Sequence, residues 1–285
     1  MILLKPYFII IKSLLFFLFD SIALLKFKSP QKDHLAIVLL IRQDGIGDFV
    51  MWLDTAKEYR KLYPNDKYKI VLVGNALWCG LAEMLPYWDE VFPVNVKQFK
   101  TFSDYRRDIL NQIQDLGAQI AIQPTYSREL YHGDSLIRAS CALHKVSSEG
   151  DMSNRNWLKK NIADRWHTKL IPAATETMTE LERNEEFFQG FSGKQYTIHY
   201  PKLMFPKVSS TIKWSNRKYY VLFPGVSSAL RQWPVGSFTE IANRIYDETG
   251  LIGILDGAQN EKHFSQSIQS TSRAPLEWAG TRLEE

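Results

Sequence analysis

Residues 35–50 read LAIVLLIRQDGIGDFV, and this stretch decides the fold class. The continuous apolar run from Ala36 to Ile41 is typical of a strand that is buried on both faces of a parallel sheet. A turn containing Gly45 and Gly47 follows, and the segment from Phe49 to Tyr63 is predicted to be a helix because a proline comes directly after it. Strand, glycine turn and helix in this order predict a Rossmann-like unit.

The same alternation continues along the chain. In the first half, strands are predicted at residues 69–73, 90–94 and 118–122. In the second half we predict a strand at 219–223, a loop at 224–231, a helix at 235–249, a strand at 251–255, a helix at 260–270 and the start of a further element at 274–277. Alternating strands and helices indicate an α/β fold of two Rossmann-like domains that face a cleft, with ligands beyond the carboxyl ends of the strands.

Composition sets the domain boundaries. Residues 35–195 form the predicted first domain; its polar part, 147–195, shows no strand signal and a helix around 177–188. Residues 196–218 contain Pro, Lys and Ser and are interpreted as the linker. Residues 219–285 form the predicted second domain.

Residues 1–28 are almost wholly apolar apart from a few charges. On a helix, Lys5, Lys12, Lys26 and Asp20 fall within an arc of roughly 120°. This pattern favours an amphipathic helix at the membrane interface, with its lysines towards anionic head groups, over a helix packed on the protein's own body. The internal charges disfavour a spanning helix, and no small-residue cleavage site supports a signal peptide.

The chain has 285 residues, 45% of them hydrophobic, and a formal net charge of +4. The charge suits anionic ligands or an anionic membrane surface, and without a basic run a nucleic-acid partner is not predicted. Cys79 and Cys141 lie in apolar stretches and are expected to be buried thiols in a reducing compartment. His144 and His199 are expected to be structural rather than catalytic.

The first chemical motif comprises Arg42, Gly45, Gly47 and Asp48. Glycines let the backbone approach a ligand, and free N–H groups at a helix start favour anions. The motif is not a dinucleotide fingerprint, because Val50 stands where that pattern needs glycine. Asp48 also fits a helix-capping aspartate, and composition alone favours that simpler interpretation.

The second motif is the loop from Phe223 to Pro234. Ser227 and Ser228 can donate hydrogen bonds to phosphate, and Arg231 can neutralise its charge. Pro234 suits the first turn of the following helix. An ordinary solvated loop with a surface arginine explains this segment equally well.

Together the motifs resemble glycosyltransferase family 9, the lipopolysaccharide heptosyltransferases, over about residues 35–285. The residues that match the family are Arg42, Gly47, Asp48, Pro224, Gly225, Ser227, Trp233 and Pro234. Residues 255–261 also resemble the family's segment of a strand followed by Gly-Gly-x-x-(Asp/Glu)-x-Glu.

The resemblance implies a GT-B fold and inverting transfer of a heptose-like sugar. The implied donor is a nucleoside diphosphate sugar similar to ADP-heptose, bound by the second domain, and the acceptor is a lipopolysaccharide core or related glycan. It makes Asp48 the catalytic base and places Ser227 and Arg231 at the donor phosphates. Ser228 is assigned there as well, because its hydroxyl can donate to phosphate. Arg42, Gly45 and Gly47 are assigned to the acceptor site or the cleft. No cofactor or metal is expected, since the chain has no Asp-x-Asp triplet, and the implied location is cytoplasmic, peripheral on the inner face of the inner membrane.

Two departures from the family pattern matter. Asp44-Gly45-Ile46 stands where the family usually has Ser-Leu, which changes the expected acceptor contacts. The family's later Asp-(Ser/Thr)-Gly-x-x-His segment does not occur before Glu285, so the second domain is predicted to be incomplete. A non-catalytic truncated relative that binds a membrane surface is therefore the alternative function. A nicotinamide enzyme is disfavoured by the failed glycine fingerprint.

Overall fold

The structure is a computed structural model that describes residues 5–25, 35–202, 214, 217–226 and 229–280. The chain forms two compact units, Met1–Met204 and Phe205–Glu285. Several residues of the sequence predictions lie outside the described residues: Lys26, residues 203–213, 215 and 216 of the predicted linker, and the loop serines Ser227 and Ser228.

The first unit is built on a parallel sheet of six strands in the order β3-β2-β1-β4-β5-β6. The strands are β1 (Ala36–Arg42), β2 (Tyr68–Asn75), β3 (Glu90–Val94), β4 (Ile120–Gln123), β5 (His144–Ser148) and β6 (Lys169–Ile171). This order reverses between β1 and β4, and such a switch point is where ligands bind in open α/β sheets.

Helices connect the strands of this sheet. They are α1 (Lys5–Ala23), α2 (Ile46–Leu62), α3 (Cys79–Glu83), α4 (Val96–Phe99), α5 (Asp104–Asp115), α6 (Ser135–Ala139), α7 (Trp157–Asp164) and α8 (Glu180–Ser192), with a turn at Leu130–Asp134 that is kinked at His132. β1 and β2 form the centre of the core, because their apolar runs are completely buried from Val38 to Ile41 and from Ile70 to Val73.

The strands predicted from apolar runs are confirmed, but the prediction that 147–195 contains no strand is wrong. β6 lies within that range, and β5, which was not predicted, overlaps its start. Both strands carry polar side chains, and Ser147 and Ser148 are buried in the sheet. A strand that pairs at the edge of a sheet with polar residues gives no apolar signal in the sequence.

α1 packs on the body of the first unit. The sequence had favoured a helix at the membrane interface over this arrangement. Its charged residue Asp20 points inwards and accepts two hydrogen bonds from Arg106, at 2.7 Å from Nε and 2.6 Å from Nη2. Arg106 also donates to the carbonyl oxygens of Phe99 and Tyr131. The carboxylate that disfavours a spanning helix therefore anchors α1 to the protein.

The two cysteines differ from each other. Cys79 is buried as predicted, and burial raises the pKa of its thiol to about 12. Cys141 is exposed, contrary to the prediction, because it follows α6 in a turn with a positive φ of 50°. None of the helices that the structure describes combines the length and the apolar character needed to cross a membrane.

The second unit contains the parallel strands β7 (Tyr219–Leu222), β8 (Ile252–Leu255) and β9 (Leu276–Trp278) in sequential order. Its helices are α9 (Val235–Thr249) and α10 (Lys262–Thr271), preceded by short 3-10 turns at Ala229–Arg231 and Gln259–Glu261. Tyr219 and Val221 alternate along β7 and are both exposed, so one face of this strand is exposed.

The start of the predicted linker belongs to the first unit. The Tyr196 hydroxyl donates to Oδ2 of Asp54 on α2 at 2.7 Å, and the backbone N–H of His199 donates to the same oxygen at 2.8 Å. The imidazole of His199 is exposed, as is His144 at the start of β5. Residues 196–202 are therefore held on α2 rather than linking two domains.

Candidate functional site

The first motif lies at the carboxyl end of β1, at the switch point of the first sheet. β1 ends at Arg42, and α2 begins at Ile46 after a turn of three residues. Thr125 follows β4 on the other side of the switch point, and its hydroxyl donates to Oδ2 of Asp44 at 2.9 Å. The turn therefore bridges the two strands between which an open α/β sheet binds its ligand.

Arg42 is the buried centre of this turn, with 1% of its surface exposed. Its Nη1 donates to Oδ1 of Asn184 at 3.0 Å, and its Nη2 bonds to the Glu180 carboxylate. Its Nε lies 2.7 Å from Oδ2 of Asp44. These partners enclose the guanidinium, so Arg42 ties the turn to α8. Its assignment to the acceptor or the cleft stays a prediction.

The charges around Arg42 do not cancel. Burial alone would lower the pKa of Arg42, but the carboxylates of Asp44 and Glu180 raise it above the ordinary value. Burial in turn raises the pKa of Glu180, although Arg42 acts in the opposite direction. With Asp48 nearby, three carboxylates face one guanidinium, so the solvent-facing side of the turn is negative.

Hydrogen bonds from β2 and the turn after it fix the backbone of the motif. Trp78 Nε1 donates to the carbonyl oxygen of Asp44 at 2.9 Å, and Asn75 Nδ2 donates to the same oxygen at 3.2 Å. Gln43 Nε2 donates to the carbonyl oxygen of Val73 at 2.8 Å. Phe49, the first apolar side chain of α2 to be buried, stacks on Trp78 with ring centroids 4.0 Å apart. The turn is therefore rigid, as a site for positioning reacting groups must be.

Asp48 lies in the first turn of α2 and is exposed. The N-cap residue of α2 is Gly45, and no side chain caps this helix end. Within the part of the chain that the structure describes, the Asp48 carboxylate makes no hydrogen bond or salt bridge. The capping interpretation is therefore wrong for this conformation, and the carboxylate is free to meet a substrate.

The glycines of the turn are not required by the chain's own packing. A Cβ on Gly47 would meet nothing within 4 Å, and one on Gly45 would come no closer than 3.6 Å to Oδ2 of Asp48. Neither residue has a positive φ. The glycines leave the backbone N–H groups at the start of α2 open to a polar ligand.

α8 supplies two residues that the sequence motif did not include. Thr179 caps α8 in a capping box with Glu182, which fixes where the helix begins. Glu180 and Asn184 are one helical turn apart, so both reach Arg42 from one face of α8. The Asn184 side chain also donates to the carbonyl oxygen of Met51 on α2 at 3.4 Å.

A second buried charge cluster supports the loops after β4 and β5. Asp134 is fully buried between Arg128 and Arg155, whose Nη1 atoms lie 3.6 and 3.7 Å from its oxygens. Burial raises the pKa of Asp134, although both arginines act to lower it. Arg128 also pairs with Asp164 at the end of α7. The cluster holds the loop that carries Thr125 towards Asp44.

The second motif lies at the carboxyl end of β7. Arg231 ends a 3-10 turn and is exposed, and Gln232 Nε2 donates to the carbonyl oxygen of Pro224 at 2.7 Å. Pro234 is the N-cap residue of α9 and thus immediately precedes the first turn in which it was predicted. Trp233 packs edge-on against Phe238 of α9, with ring centroids 5.0 Å apart. The loop presents a cation beside the beginning of a helix.

Glu261 links this loop to the next one. A Cβ on Gly225 would come within 2.1 Å of the Glu261 carboxylate, so only glycine permits this approach. Oε2 of Glu261 accepts a hydrogen bond from the N–H of Ala258 at 2.9 Å. Gly257, with φ of 156°, is the other glycine against which this carboxylate lies. Two loops at the carboxyl edge of the second sheet are thereby joined.

Solved structures share this architecture. Heptosyltransferase WaaC of E. coli, solved with ADP-2-deoxy-2-fluoro heptose, superposes with a TM-score of 0.62 at 15% identity, over 87% of this chain and 78% of that one. ADP-heptose LPS heptosyltransferase II of E. coli gives 0.58 at 13% identity, over 88% and 74%. The family 9 glycosyltransferase of Veillonella parvula DSM 2008 gives 0.62 at 13% identity, over 90% and 73%.

The chain has a GT-B fold, as these solved structures do. These matches confirm the predicted fold class, with a Rossmann-like sheet in each unit. No protein-family model and no curated protein sequence matches the chain. At 13–16% identity the likeness is one of fold, and the roles of the site residues rest on their geometry.

Sequence reasoning found the turn but not its partners. It identified Asp48, Gly45, Gly47 and Arg231 at the carboxyl ends of strands, where the structure places them. It missed Asp44 as an ion-pair partner and Glu180, Asn184 and Thr125 altogether. The capping box at Thr179 could have located the start of α8, but nothing in the sequence indicates that this helix end meets Arg42.

Proposed function

We propose that this chain is an inverting glycosyltransferase. It transfers a heptose-like sugar from a nucleoside diphosphate sugar similar to ADP-heptose to a lipopolysaccharide core or a related glycan. The fold supports this proposal, since the structural relatives include a heptosyltransferase solved with ADP and with a fluorinated ADP-heptose. We place the reaction at the cytoplasmic face of the inner membrane.

The observation that carries the proposal is the exposed, uncapped Asp48 at the switch point of the first sheet. In the proposed reaction, its carboxylate accepts the proton of an acceptor hydroxyl. The hydroxyl oxygen attacks the anomeric carbon as the bond from that carbon to the diphosphate breaks, and the electron pair leaves with the diphosphate. A carboxylate on a rigid turn suits this step because a base must be held within hydrogen-bond distance of the proton it removes.

Arg42 acts as a positioning residue in this mechanism. It is enclosed by Asp44, Glu180 and Asn184 and accordingly fixes the turn that presents Asp48. Gly45 and Gly47 leave room for the acceptor beside the base. The negative charge of the turn would also repel the donor diphosphate, which favours a separate site for the donor.

The donor phosphates are assigned to the second motif. Arg231 neutralises charge on the leaving diphosphate, and Ser227 and Ser228 donate hydrogen bonds to it. The start of α9 adds N–H groups that favour an anion. No metal is invoked, since a cationic side chain and a helix N-terminus can stabilise the leaving charge.

The test of the base is Asp48→Asn, because asparagine keeps the shape of the side chain and removes its basicity. We expect release of nucleoside diphosphate in the presence of acceptor to fall by about 10²–10⁴-fold. Asp66→Asn, at an exposed position after α2, is the matched control and is expected to keep full turnover. Full turnover by Asp48→Asn would overturn the mechanism.

The donor assignment has its own test. Arg231→Ala is expected to weaken nucleoside diphosphate binding by about 1.5–3 kcal/mol, the loss of one charge-assisted contact. Arg273→Ala removes another exposed arginine of the second unit, one that pairs with Asp247, and serves as the control. Isothermal titration that gives equal affinities for both variants would remove Arg231 from the donor site.

A second candidate is a non-catalytic relative that binds a membrane surface. The observation that favours it is the apolar face that α1 presents to the outside. It predicts vesicle binding without turnover of any nucleotide sugar, whereas the transferase proposal requires turnover that depends on Asp48. Assays of turnover and vesicle binding on the same preparation separate the two candidates.

A further inference from the structure

α1 is oriented with its polar side inwards. Its buried residues are Ser13, Phe16, Asp20 and Ala23. Half or more of each of the following apolar side chains is exposed: Ile11, Leu14, Leu15, Leu18, Ile22 and Leu25. At 3.6 residues per turn the exposed set is centred about 180° from the buried set. A helix that only packs on a soluble protein would show the reverse arrangement.

The inward contacts hold this orientation firmly. Ser135 Oγ donates to Oδ2 of Asp20 at 3.0 Å, in addition to the two bonds from Arg106. The Tyr131 hydroxyl donates to Ser13 at 2.6 Å, and Phe16 stacks on Tyr131 with ring centroids 4.4 Å apart. Rotating α1 to bury its leucines would break the ion pair and expose Phe16, so the apolar face is fixed outwards.

A groove of about 340 Å³ runs beside this face, between α1 and α7. Its apolar walls are formed by Leu14 and Phe17 of α1, Leu158 and Ile162 of α7, and Trp166. Among the described residues that line it, Arg165 is the one ionisable side chain, and it is exposed. An apolar channel with a cation at its rim matches a lipid, which carries an acyl chain and an anionic head group.

Cations surround the same surface. Lys12 is exposed on α1, and Lys159 of α7 lies with its Nζ 5.0 Å from the Tyr131 ring. The Arg138 guanidinium lies over the rings of Phe17 and Trp166, at 4.5 and 5.0 Å. Asp20 is the one acidic residue of α1, and it is buried in its ion pair. Glu129 acts on Lys159 but already pairs with Lys100 at 3.1 Å. The surface is therefore apolar, with more cations than carboxylates at its border.

We propose that the outward face of α1 and the α1–α7 groove dock on an anionic phospholipid bilayer, with one acyl chain in the groove and its head group at Arg165. The leucines and isoleucines enter the acyl boundary, while the bordering cations meet the head groups. A symmetric dimer through this face would bring like charges together, because a two-fold interface pairs each patch with its own copy. The border charge thus favours lipid over a second copy of the chain.

This inference uses the same face of α1 as the second candidate function, adds to it the lipid site in the groove, and does not depend on turnover. Its test is cosedimentation of the full chain with vesicles of phosphatidylcholine, with and without phosphatidylglycerol. Leu18→Glu is expected to weaken binding to the anionic vesicles by at least about tenfold, since it replaces an exposed leucine that the bilayer would bury with a charged side chain. Leu77→Glu, at another exposed leucine of the first unit, is the matched control and should bind as the wild type does.

The head-group contact is tested by charge reversal. Arg165→Glu should weaken binding to anionic vesicles several-fold and leave binding to neutral vesicles unchanged. Lys61→Glu makes the same charge change at an exposed position on α2 and should have little effect. Equal effects of Arg165→Glu and Lys61→Glu would show that net charge alone acts, and would overturn the site.

The groove is tested with phospholipids that carry bromine on an acyl chain, which quench nearby tryptophans. Part of the quenching is expected to be lost in Trp166→Phe and kept in Trp233→Phe, a change in the second unit. Unchanged quenching in Trp166→Phe would overturn the acyl-chain placement. If Leu18→Glu instead converts a dimer into a monomer and vesicle binding stays equal to that of Leu77→Glu, the face is a contact between copies and the lipid proposal is wrong.

Discussion

Arg106 and Arg42 are both fully buried arginines of the first unit, yet they are surrounded differently. Arg106 meets one carboxylate, Asp20, and its remaining donors reach backbone carbonyls and a hydroxyl. Arg42 meets Asp44 and Glu180 directly and has Asp48 close by. The balanced pair holds two helices together. The carboxylates around Arg42 outnumber its one positive charge, so the carboxyl edge of the sheet carries net negative charge there.

Removing the carboxylate of the balanced pair is expected to have the largest effect on stability. Asp20→Ala leaves the Arg106 guanidinium buried without a counter-charge, which should cost about 3–5 kcal/mol of unfolding free energy. Urea-induced unfolding measures this loss. Asp104→Ala removes the partner of exposed Arg107 on the same helix and should cost less than about 0.5 kcal/mol. Similar losses of unfolding free energy in the two variants would show that the buried ion pair contributes no more than the exposed one.

Acid should weaken the region around Arg106. Burial, together with the charges of Lys100 and Arg106, lowers the pKa of His132 from 6.5 to about 3. Between these two pH values the unfolded chain binds a proton that the folded chain does not, so stability is lost as the pH falls from about 6.5 towards 3. His132→Gln should remove about 1.4 kcal/mol per pH unit from this slope. His144→Gln, which removes an exposed imidazole, controls for the substitution itself.

The unbalanced cluster should tolerate the loss of one charge. Glu180→Gln leaves Arg42 with Asp44 beside it, and glutamine can still accept a hydrogen bond. We expect about 1 kcal/mol of destabilisation, much less than for Asp20→Ala. If urea unfolding shows that Glu180→Gln costs as much as Asp20→Ala, the carboxylates around Arg42 are not in surplus.

The smallest effect on stability is expected at Asp48. Its carboxylate has no partner among the described residues, so Asp48→Asn loses only the favourable interaction with the N-terminus of α2. That loss should stay below about 1 kcal/mol. The same variant should lose most of its turnover. A large drop in melting temperature would instead assign Asp48 a structural role.

The sequence predicted those elements that have a local signal. Apolar runs located β1 and β2, and the proline after Tyr63 located the end of α2 to within one residue. β5 was not predicted because four of its five residues are polar, and β6 was not predicted because it has only three residues. A three-residue strand such as Lys169–Ile171 exists only because an edge of the sheet is there to pair with.

In the site, too, the residues of the local motif were predictable and their distant partners were not. Asp48 and its glycines lie within one turn of chain, so their motif is visible in the sequence. Glu180 lies 138 residues from Arg42, and Asp20 lies 86 residues from Arg106. Contacts over such distances follow from the fold and leave no spacing to detect. The sequence shows that Asp20 interrupts an apolar helix, but nothing in the sequence distinguishes Arg106 as its partner.

The anchoring of α1 also has a consequence for the order of events during synthesis. Asp20 leaves the ribosome long before the residues that hold it, because Ser135 follows 115 positions later. At about 5–20 residues per second, the interval between them is roughly 6–23 s. Throughout that time the nascent helix has no docking site on its own protein, and its leucines and isoleucines are open to lipid or to a chaperone. The proposed docking on a bilayer can thus begin before the sheet that carries the Asp48 turn is complete.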